Sequence, residues 1–463
     1  SLKQLQMVSR PQSSFKHLIT NIRLYLDQKP IEDFWWDVYS WFSQQEQWKK
    51  HCQKIVEAFF HRNQVENINP NQAQRLYRLP LRTSVTRLER FTACPFAHFV
   101  HYGLSPRERK EFSVKAPDIG ELFHSSLLRF ALKIEEHPEK WQGIERDECE
   151  LIMDKIMEEI LISSEGEVFS SNYRFRYLSQ RLKRMGRRAA WIVSEHIKRG
   201  GFTPLGYEMR FGQGGSLPAL TIEMENGEKM YLEGRIDRVD ILDEDEASYV
   251  RIIDYKTGNP KLNLADCYYG LSLQLLIYLR VVLASQQELG RYALKPGGIF
   301  YFKIDDPLIK SEDQVKEVVE QQLIKELKLK GLTLADVRIV REMDYNISSQ
   351  SDIIPVGLKK DDSFYSNSSV LSEEDFTYLL SHVDNLLRKV CSELVGGKVK
   401  MEPYKIQQQT ACSFCPYIAI CQFDRQLPDN NYRHLIPLKD EEVIQRIKAN
   451  KEVIPHELDQ GSK

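Results

Sequence analysis

The amino-acid sequence predicts a mixed α/β fold, in which a sheet carries acidic residues at the ends of its strands. The first observation is the order of the predicted elements, which is a helix, three strands, a second helix and a further strand. The second is the strand that ends at Lys256, where Val250, Ile252, Asp254 and Lys256 share one face by the period of two. A carboxylate and an ammonium therefore lie side by side, as a site for a metal ion and a phosphate requires.

Length and composition set the limits for this fold. Hydrophobic residues make up 42% of the 463 residues and charged residues 28%, so we expect two or three domains. No apolar run approaches the roughly 20 residues that span a bilayer, which predicts a soluble, cytoplasmic protein with no membrane partner. The formal net charge of -2 means that any contact with nucleic acid must be local. The chain begins at Ser1 and not at a methionine, which suggests a piece of a longer protein.

Residues 1–80 are predicted to be a helical segment that is rich in tryptophan. Trp35, Trp36 and Trp41 fall within a few turns of one another, and Trp48 follows. These rings could form a surface on which DNA bases stack. We favour a buried helical core or a contact with a neighbouring domain, because aromatic residues dominate cores and interfaces.

Two helices follow this segment. A short helix is expected to run to about Thr92, where Cys94 and its following proline interrupt it. A longer amphipathic helix begins at Ala116, with apolar residues recurring near the helical period. Gly120 and His124 lie one turn apart on it and share a face. A single histidine on a helix is more often a polar neighbour than a metal ligand, so a role for His124 requires that it approach the acidic strands.

Residues 174–188 form a basic helix with seven arginines and lysines and no acidic residue. The helical period leaves Arg181, Arg184 and Arg188 aligned on one face. Such a stripe is either an ordinary solvated surface or a track for a phosphate backbone, and the sequence leaves both interpretations open.

The acidic site is predicted from two neighbouring strands. Asp237 lies on the strand before the one that ends at Lys256, and a short acidic turn joins them, so an antiparallel pair is expected. Asp237 and Asp254 would then converge, and two carboxylates suit Mg²⁺ or Mn²⁺. Lys256 would face the same phosphate and stabilise its developing charge or polarise the attacking water. The alternative is a surface hairpin with solvated charges.

The chain after the acidic strands is predicted to be mainly helical. A long helix is expected over residues 264–284, with Gln274 and Tyr278 one turn apart and able to reach the strand ends or a base. Residues 297–304 supply a further strand. Residues 305–400 are expected to be a mostly helical elaboration with no evident chemistry.

The cysteines near the end of the chain indicate a metal site. Cys412 and Cys415 have C-x₂-C spacing, and Cys421 follows after five more residues. Both zinc and an iron-sulfur cluster use four ligands. We select Cys94 as the fourth, because Cys94 and Cys415 are each followed by proline. The alternative is a set of buried thiols that bind no metal.

Together these motifs resemble those of the RecB-type PD-(D/E)XK nucleases, and within them the C-terminal region of AddB subunits of helicase-nucleases. The segments that carry the resemblance are GELFH, GRIDRVD, IIDYKTG, QLLIY and the cysteines of C…CSFCPYIAIC. They occur in the order of the family, and the match covers about residues 82–427.

The resemblance implies a restriction-endonuclease-like core, a mixed sheet flanked by helices, with a helical N-terminal segment and an iron-sulfur staple. It implies that the metal ligands are His124, Asp237, Asp254 and the carbonyl of Tyr255, and that Lys256 is catalytic. Gln274 and Tyr278 would support the site and touch DNA. The implied ligands of a structural [4Fe-4S] cluster are Cys94, Cys412, Cys415 and Cys421.

The resemblance also implies a function and a domain organisation. Residues 1–80 would end a helicase-like region, residues 81–427 would be the nuclease domain, and residues 428–463 would be a tail. The nuclease would use Mg²⁺ or Mn²⁺ to hydrolyse single-stranded DNA, on the 5′-ended strand. With an AddA-type partner in a heterodimer, it would process duplex ends for double-strand break repair by recombination. The alternatives are a DNA-binding module with a vestigial nuclease site and a freestanding exonuclease of the CRISPR-associated or mitochondrial kind.

Overall fold

The computed structural model describes residues 6–107, 115–162, 173–224, 227–309, 315–427 and 429–452. The chain divides into two compact units. The first unit comprises Ser1–Val65 and Ile418–Tyr432, and the second comprises Glu66–Tyr417 and Arg433–Lys463. Residues 66–80 therefore group with the second unit, although the sequence suggested that they belong to the N-terminal segment. The domain assignment itself stays a prediction.

Helices occur in both units. In chain order they are α1 (Pro11–Leu26), α2 (Phe34–Gln44), α3 (Glu46–Phe59), α4 (Pro70–Tyr77), α5 (Val85–Ala93), α6 (Pro95–His98), α7 (Ala116–Glu135), α8 (Lys140–Gly143), α9 (Arg146–Ile162), α10 (Tyr173–Lys198), α11 (Leu264–Tyr268), α12 (Gln274–Ala284), α13 (Lys316–Glu326), α14 (Val337–Met343), α15 (Glu373–Val395), α16 (Ile418–Cys421) and α17 (Asp440–Glu452). A π-helical turn, Phe99–Leu104, follows α6. The predicted helix that begins at Ala116 is α7, and the predicted basic helix is part of α10.

The first unit is built on α1, α2 and α3, which enclose a small aromatic core. Phe15, Trp35 and Phe42 are buried in this core, and Trp48 packs against it. Trp36 and Trp41 remain 40% and 47% exposed. The buried-core interpretation therefore holds for two of the four tryptophans in this segment.

The strands form three sheets in the described parts of the second unit. In chain order the strands are β1 (Arg82–Thr83), β2 (Thr203–Phe211), β3 (Leu220–Glu223), β4 (Lys229–Leu232), β5 (Gly234–Asp243), β6 (Ser248–Lys256), β7 (Leu294–Lys303), β8 (Lys330–Leu334), β9 (Val370–Leu371), β10 (Tyr404–Ile406), β11 (Gln409–Thr410) and β12 (Arg433–His434). The central sheet has the order β2-β5-β6-β7-β8-β9, and the smaller sheets have the orders β1-β4-β3 and β11-β10-β12.

The central sheet is mixed, as the fold class predicts. Strand β5 pairs antiparallel with both β2 and β6, whereas β6 and β7 are parallel. Strands β5 and β6 are buried along most of their length, and α12 packs against β6 and β7. The predicted antiparallel pair of acidic strands is therefore confirmed, and both are interior strands of the sheet.

The predicted long helix over residues 264–284 is wrong, because the chain breaks it into α11 and α12. Gly270 adopts a left-handed backbone with φ of +77°. Its N–H donates to the carbonyl of Cys267, and the N–H of Leu271 donates to the carbonyl of Asp266. Glycine takes up this conformation without steric cost and ends α11. Helix α12 consequently begins at Gln274 as a separate helix.

The predicted mostly helical elaboration over residues 305–400 is only partly correct. It contains α13, α14 and α15, but also β8 and β9, which extend the central sheet. Strand β8 pairs antiparallel with β7. Its sequence, KGLTL, is short and lacks a clear alternation, so its place in the sheet depends on long-range packing.

Among the described residues, no helix combines the length and the apolar character that crossing a membrane requires.

Candidate functional site

Two aspartates meet on neighbouring interior strands of the sheet, near one end of the β5–β6 pair. In the antiparallel pair, Arg238 on β5 lies opposite Ile253 on β6, so the next positions, Asp237 and Asp254, face each other. Asp237 is 5% exposed and Asp254 is 1% exposed. The backbone N–H of Tyr255 donates to Asp237 Oδ2 at 2.7 Å and holds that carboxylate in place.

His124 reaches this acidic pair from α7. Its Nδ1 atom lies 3.3 Å from Asp237 Oδ1 and 3.3 Å from Glu208 Oε1, on β2. In the described part of the chain, His124, Glu208 and Asp237 are the group whose ligand atoms all lie within 4.8 Å of one another. One imidazole and two carboxylates can hold a metal ion. His124 does approach the acidic strands, as a role in the site requires.

Glu208 was not predicted from the sequence, although it belongs to this group of donors. It lies at the register position opposite Asp237, and its backbone is left-handed, with φ of +48°. The side chain is held by Arg235, whose Nε lies 2.5 Å from Glu208 Oε2. A strained backbone at a residue other than glycine is typical of functional sites. In the sequence, Glu208 is only one polar residue in the strand PLGYEMRF, which carries no distinguishing signal.

Lys256 lies beside the acidic pair within a chain of hydrogen bonds. Its ammonium forms an ion pair with Asp254 Oδ2 and donates to Gln274 Oε1 at 3.0 Å. Gln274 Nε2 in turn donates to the hydroxyl of Tyr278 at 2.8 Å. The ammonium also lies 5.7 Å from the ring centre of Tyr301. Gln274 therefore reaches the end of β6, as the sequence predicts, and Tyr278 is joined to Lys256 through Gln274.

The electrostatics of the site favour a bound cation. Burial, and then the neighbouring charge of Asp237, raises the pKa of Asp254 to about 7, although Lys256 opposes this shift. Burial alone would lower the pKa of His124, but hydrogen bonds to Asp237 and Glu208 raise it to about 10. In both groups the neighbouring carboxylates favour the protonated form, and at Asp254 burial favours it as well. A divalent cation can replace those protons, so this set of oxygen and nitrogen donors fits Mg²⁺ or Mn²⁺.

Three of the four predicted cysteine ligands, Cys94, Cys412 and Cys415, belong to the second unit, and in the described part of the chain their sulfurs do not form a group that lies within 4.8 Å of one another. Cys94 follows α5 in an extended backbone, and its sulfur accepts the backbone N–H groups of Phe96 and Ala97. Burial, opposed by these hydrogen bonds and assisted by the charges of Cys412 and Cys415, raises the pKa of Cys94 to about 11. Cys94 and Cys415 line a cavity of about 320 Å³. The raised pKa keeps Cys94 a thiol at neutral pH, so binding of a metal or cluster there would have to displace its proton.

Cys421 belongs to the first unit and ends α16. Its sulfur accepts the backbone N–H of Phe423 at 3.4 Å.

The basic helix is more neutralised than the sequence indicated. Arg184 Nε lies 2.8 Å from Asp306 Oδ2, and Arg188 forms an ion pair with the other oxygen of Asp306. Arg181 is exposed on the same helix. The acidic partner comes from a loop more than a hundred residues away in the chain, and periodicity within the helix cannot reveal it.

The central sheet and the donor side chains gathered on it point to a class of protein. A family model described as the PD-(D/E)XK nuclease superfamily matches residues 82–422, which include His124, Glu208, Asp237, Asp254 and Lys256. The match covers well over half of the 463 residues, so the chain belongs to the PD-(D/E)XK nuclease superfamily. Members of this superfamily use divalent metals. The predicted fold class and the predicted resemblance are both confirmed.

Closer similarities lie with the AddB proteins. A model described as the fifth domain of ATP-dependent helicase/deoxyribonuclease AddB matches residues 1–58. Two curated relatives are each named as a subunit of an ATP-dependent helicase/deoxyribonuclease. The one from Alkaliphilus metalliredigens is 46% identical over 447 residues, which cover 96% of this chain and 39% of the relative. The one from Thermoanaerobacter sp. is 38% identical over 442 residues, which cover 95% of this chain and 38% of the relative. The chain thus spans about two fifths of the length of these relatives.

Proposed function

We propose that this chain is a metal-dependent deoxyribonuclease that hydrolyses phosphodiester bonds of single-stranded DNA. The observation that carries the proposal is the convergence of His124, Glu208, Asp237 and Asp254, with Lys256 beside them. An imidazole and three carboxylates next to a fixed ammonium match the needs of phosphodiester hydrolysis, in which negative charge develops on the phosphate oxygens.

The proposed ligands of the cation are the side chains of His124, Glu208, Asp237 and Asp254, together with the carbonyl of Tyr255. When bound, a divalent cation supplies a Lewis acid that activates water and neutralises charge on the phosphate. Asp237 is oriented for this task by the N–H of Tyr255. Burial of the two aspartates limits their contact with bulk water and strengthens their interaction with a cation.

Lys256 is proposed to stabilise the charge that develops on the phosphate. Its ammonium is held between Asp254 and Gln274, so little reorganisation is needed when the charge forms. Gln274 is in turn oriented by Tyr278. We assign Gln274 and Tyr278 the role of supporting Lys256 and of contacting DNA at the edge of the site.

The names of the relatives support a larger context. The related proteins are named as part of an ATP-dependent helicase/deoxyribonuclease. We propose that this chain is the nuclease part of such an enzyme, paired with an AddA-type protein in a heterodimer. It would trim the 5′-ended strand at duplex ends during double-strand break repair by recombination. Arg181, Arg184 and Arg188 are proposed to contact the DNA backbone.

We further propose that Cys94, Cys412, Cys415 and Cys421 bind a [4Fe-4S] cluster. The approach of Cys94 to Cys412 and Cys415, and the N–H donors around its sulfur, support the first three ligands. The fourth, Cys421, is proposed from its place in the sequence motif. Four cysteine ligands complete the coordination of such a cluster, so its role is structural.

Cleavage of end-labelled single-stranded DNA tests the proposed function. The wild-type chain, purified without oxygen, should degrade the substrate with Mg²⁺ and not with a chelator. Asp254→Ala should abolish cleavage while it preserves the fold and the cysteine site. Asp245→Ala removes an exposed aspartate in the turn between β5 and β6 and should cleave like wild type.

Labels at the 5′ and 3′ ends of the same strand give the polarity of degradation. Shortened products that retain the 3′ label would support attack from the 5′ end. Tight DNA binding without cleavage by wild type would contradict the nuclease and favour a binding module with a vestigial site. Cleavage by Asp254→Ala at the wild-type rate would remove Asp254 from the mechanism.

A further inference from the structure

Glu89 on α5 caps a helix that is distant from it in sequence. Its Oε1 atom accepts the backbone N–H of Leu273 at 2.7 Å, across 184 residues of chain. The N–H of Gln274 also donates to its carboxyl group. These are the first N–H groups of α12, and Leu273 offers them no side-chain cap of its own. A carboxylate at this position satisfies donors that a helix leaves unpaired and interacts favourably with the helix dipole.

The capped residue is also the residue that holds Lys256. The backbone of Gln274 is fixed by Glu89, and its side-chain oxygen accepts from the Lys256 ammonium at 3.0 Å. Lys256 is close enough to Glu89 for its charge to lower the pKa of the carboxyl group, against burial, which is the larger effect and raises it. Glu89 and Lys256 are therefore linked through one residue, Gln274.

The same helix leads to the cysteine site. Helix α5 ends at Ala93, and Cys94 follows it immediately, with its N–H bonded to the carbonyl of Arg90 at 3.0 Å. Glu89 lines the cavity that Cys94 and Cys415 also line. Helix α5 thus links Cys94 with Glu89, the residue that caps α12.

We propose that Glu89 is a positioning residue for Lys256, which acts by fixing the first turn of α12 and with it the side chain of Gln274. The proposal rests on the proposed nuclease function. Without Glu89, the N–H groups of Leu273 and Gln274 lose their acceptor in a partly buried environment, and the first turn of α12 frays. The oxygen of Gln274 then no longer holds the Lys256 ammonium beside Asp254.

Steady-state cleavage of single-stranded DNA by Glu89 variants tests this inference. We expect Glu89→Ala to lower kcat about 10- to 100-fold, the usual effect of losing a group that orients a functional residue. KM for DNA should change by less than about threefold, because Glu89 supports Lys256 and does not bind the substrate. Asn263→Ala is the matched control, since Asn263 caps the neighbouring helix α11 through the N–H of Ala265. This control should lower the melting temperature by about 1 to 2 °C and leave kcat unchanged.

Two conservative variants separate position from charge and remain informative if Glu89→Ala folds poorly. Glu89→Gln keeps an acceptor oxygen at the same reach, whereas Glu89→Asp keeps the charge but is one methylene shorter. If Glu89 acts through its hydrogen bonds, Glu89→Gln retains more activity than Glu89→Asp. The reverse order would mean that only the charge matters and would overturn the proposal.

A double-mutant cycle tests whether Glu89 acts through Gln274. The kcat of Glu89→Ala/Gln274→Ala should equal that of Gln274→Ala within about twofold. Independent effects that multiply would contradict the proposal, as would a Glu89→Ala enzyme that behaves like Asn263→Ala. A wild-type chain that does not cleave DNA would instead overturn the proposed function, and with it the reaction that Glu89 serves. A cleaving wild type with an inert Glu89→Ala substitution would overturn this inference alone.

Discussion

The carboxylate of Glu208 should contribute directly to metal affinity. Glu208→Gln keeps the size of the side chain but replaces an anionic oxygen, which hard cations prefer, with a neutral amide. We expect the dissociation constant for Mn²⁺, measured by calorimetric titration, to rise about 10- to 100-fold. Glu223→Gln changes an exposed glutamate on β3 and serves as the control. An unchanged affinity in Glu208→Gln would exclude Glu208 from the site.

His196 is a buried residue whose protonation should oppose folding. It is fully enclosed on α10, edge-on to the ring of Phe302, and neither ring nitrogen has a hydrogen-bond partner among the described residues. Burial, and then the charges of Arg238, Arg251 and Arg199, holds the pKa of His196 well below its ordinary value. The folded protein therefore keeps His196 neutral at a pH where the unfolded chain binds a proton.

This difference predicts a pH-dependent stability. Above about pH 6.5 the imidazole is neutral in both states, and below it the unfolded state gains about 1.4 kcal/mol per pH unit. His196→Leu removes this effect. Urea unfolding measures the free energy of unfolding of both proteins at each pH. The value for His196→Leu minus the value for wild type should be about 2 kcal/mol larger at pH 5 than at pH 8. The exposed His137, changed to leucine, provides the control. If the free energies of unfolding of His196→Leu and wild type differed by the same amount at both pH values, folding would not hold His196 in its neutral form.

At the scale of elements, the break between α11 and α12 sets where Gln274 begins its helix. A Cβ atom on Gly270 would lie 2.9 Å from Thr92 Cγ2 and 3.0 Å from Leu386 Cδ2. Gly270→Ala therefore combines an unfavourable left-handed backbone with a steric clash. We expect it to lower the free energy of unfolding by about 2 to 4 kcal/mol.

Gly290→Ala separates these two causes. Gly290 is also left-handed, with φ of +63°, but a Cβ atom there meets nothing within 4 Å. This variant should lose only the backbone contribution of about 1 to 2 kcal/mol. Equal melting temperatures for the two variants would mean that the close approach of Gly270 to Thr92 contributes nothing.

The basic helix α10 should contribute to DNA binding unevenly. Asp306 neutralises Arg184 and Arg188, whereas Arg181 is exposed. The slope of the logarithm of the binding constant against the logarithm of the salt concentration reports how many counterions single-stranded DNA releases on binding. If the helix contacts the DNA backbone, Arg181→Gln should lower that number by about one. Arg184→Gln should reduce it less. Fluorescence anisotropy at several salt concentrations measures both, and a salt dependence that neither substitution changes would remove the helix from the interface.

At the scale of the whole molecule, the sequence predicts what local patterns encode. Asp254 and Lys256 could be placed on one face because a strand has a period of two, and Gln274 and Tyr278 on one face because a helix has a period of 3.6. Glu208 and Glu89 could not be predicted, since their partners are distant in the chain and a glutamate in a strand or helix carries no signal of its own.

The place of a strand in the sheet and the break in a helix could not be predicted from the sequence, for related reasons. Strand β8 is short and joins the sheet only through β7 and β9. The sequence does not reveal the break at Gly270, because the apolar residues on either side keep a nearly helical spacing. Both features depend on tertiary packing, which overrides local preference.

The proposed cysteine cluster predicts a global effect of single substitutions. Cys421→Ala should lose iron and visible absorbance together and should lower the melting temperature, because the cluster joins segments that are far apart in sequence. Cys391→Ala removes a buried cysteine of the second unit that is outside the proposed cluster, and it should retain its iron. Iron and sulfide analysis of anaerobically purified protein measures the difference. Retention of a full cluster in Cys421→Ala would exclude it as a ligand.

We propose that one end of the β5–β6 pair is a divalent metal site, with donors from the four elements α7, β2, β5 and β6. Anomalous diffraction from crystals soaked in Mn²⁺ tests it most directly. We expect a peak of anomalous density between His124, Glu208, Asp237 and Asp254 in the wild-type chain, and no such peak in Asp254→Ala. Density at another place, or the same peak in both proteins, would contradict the assignment of this site.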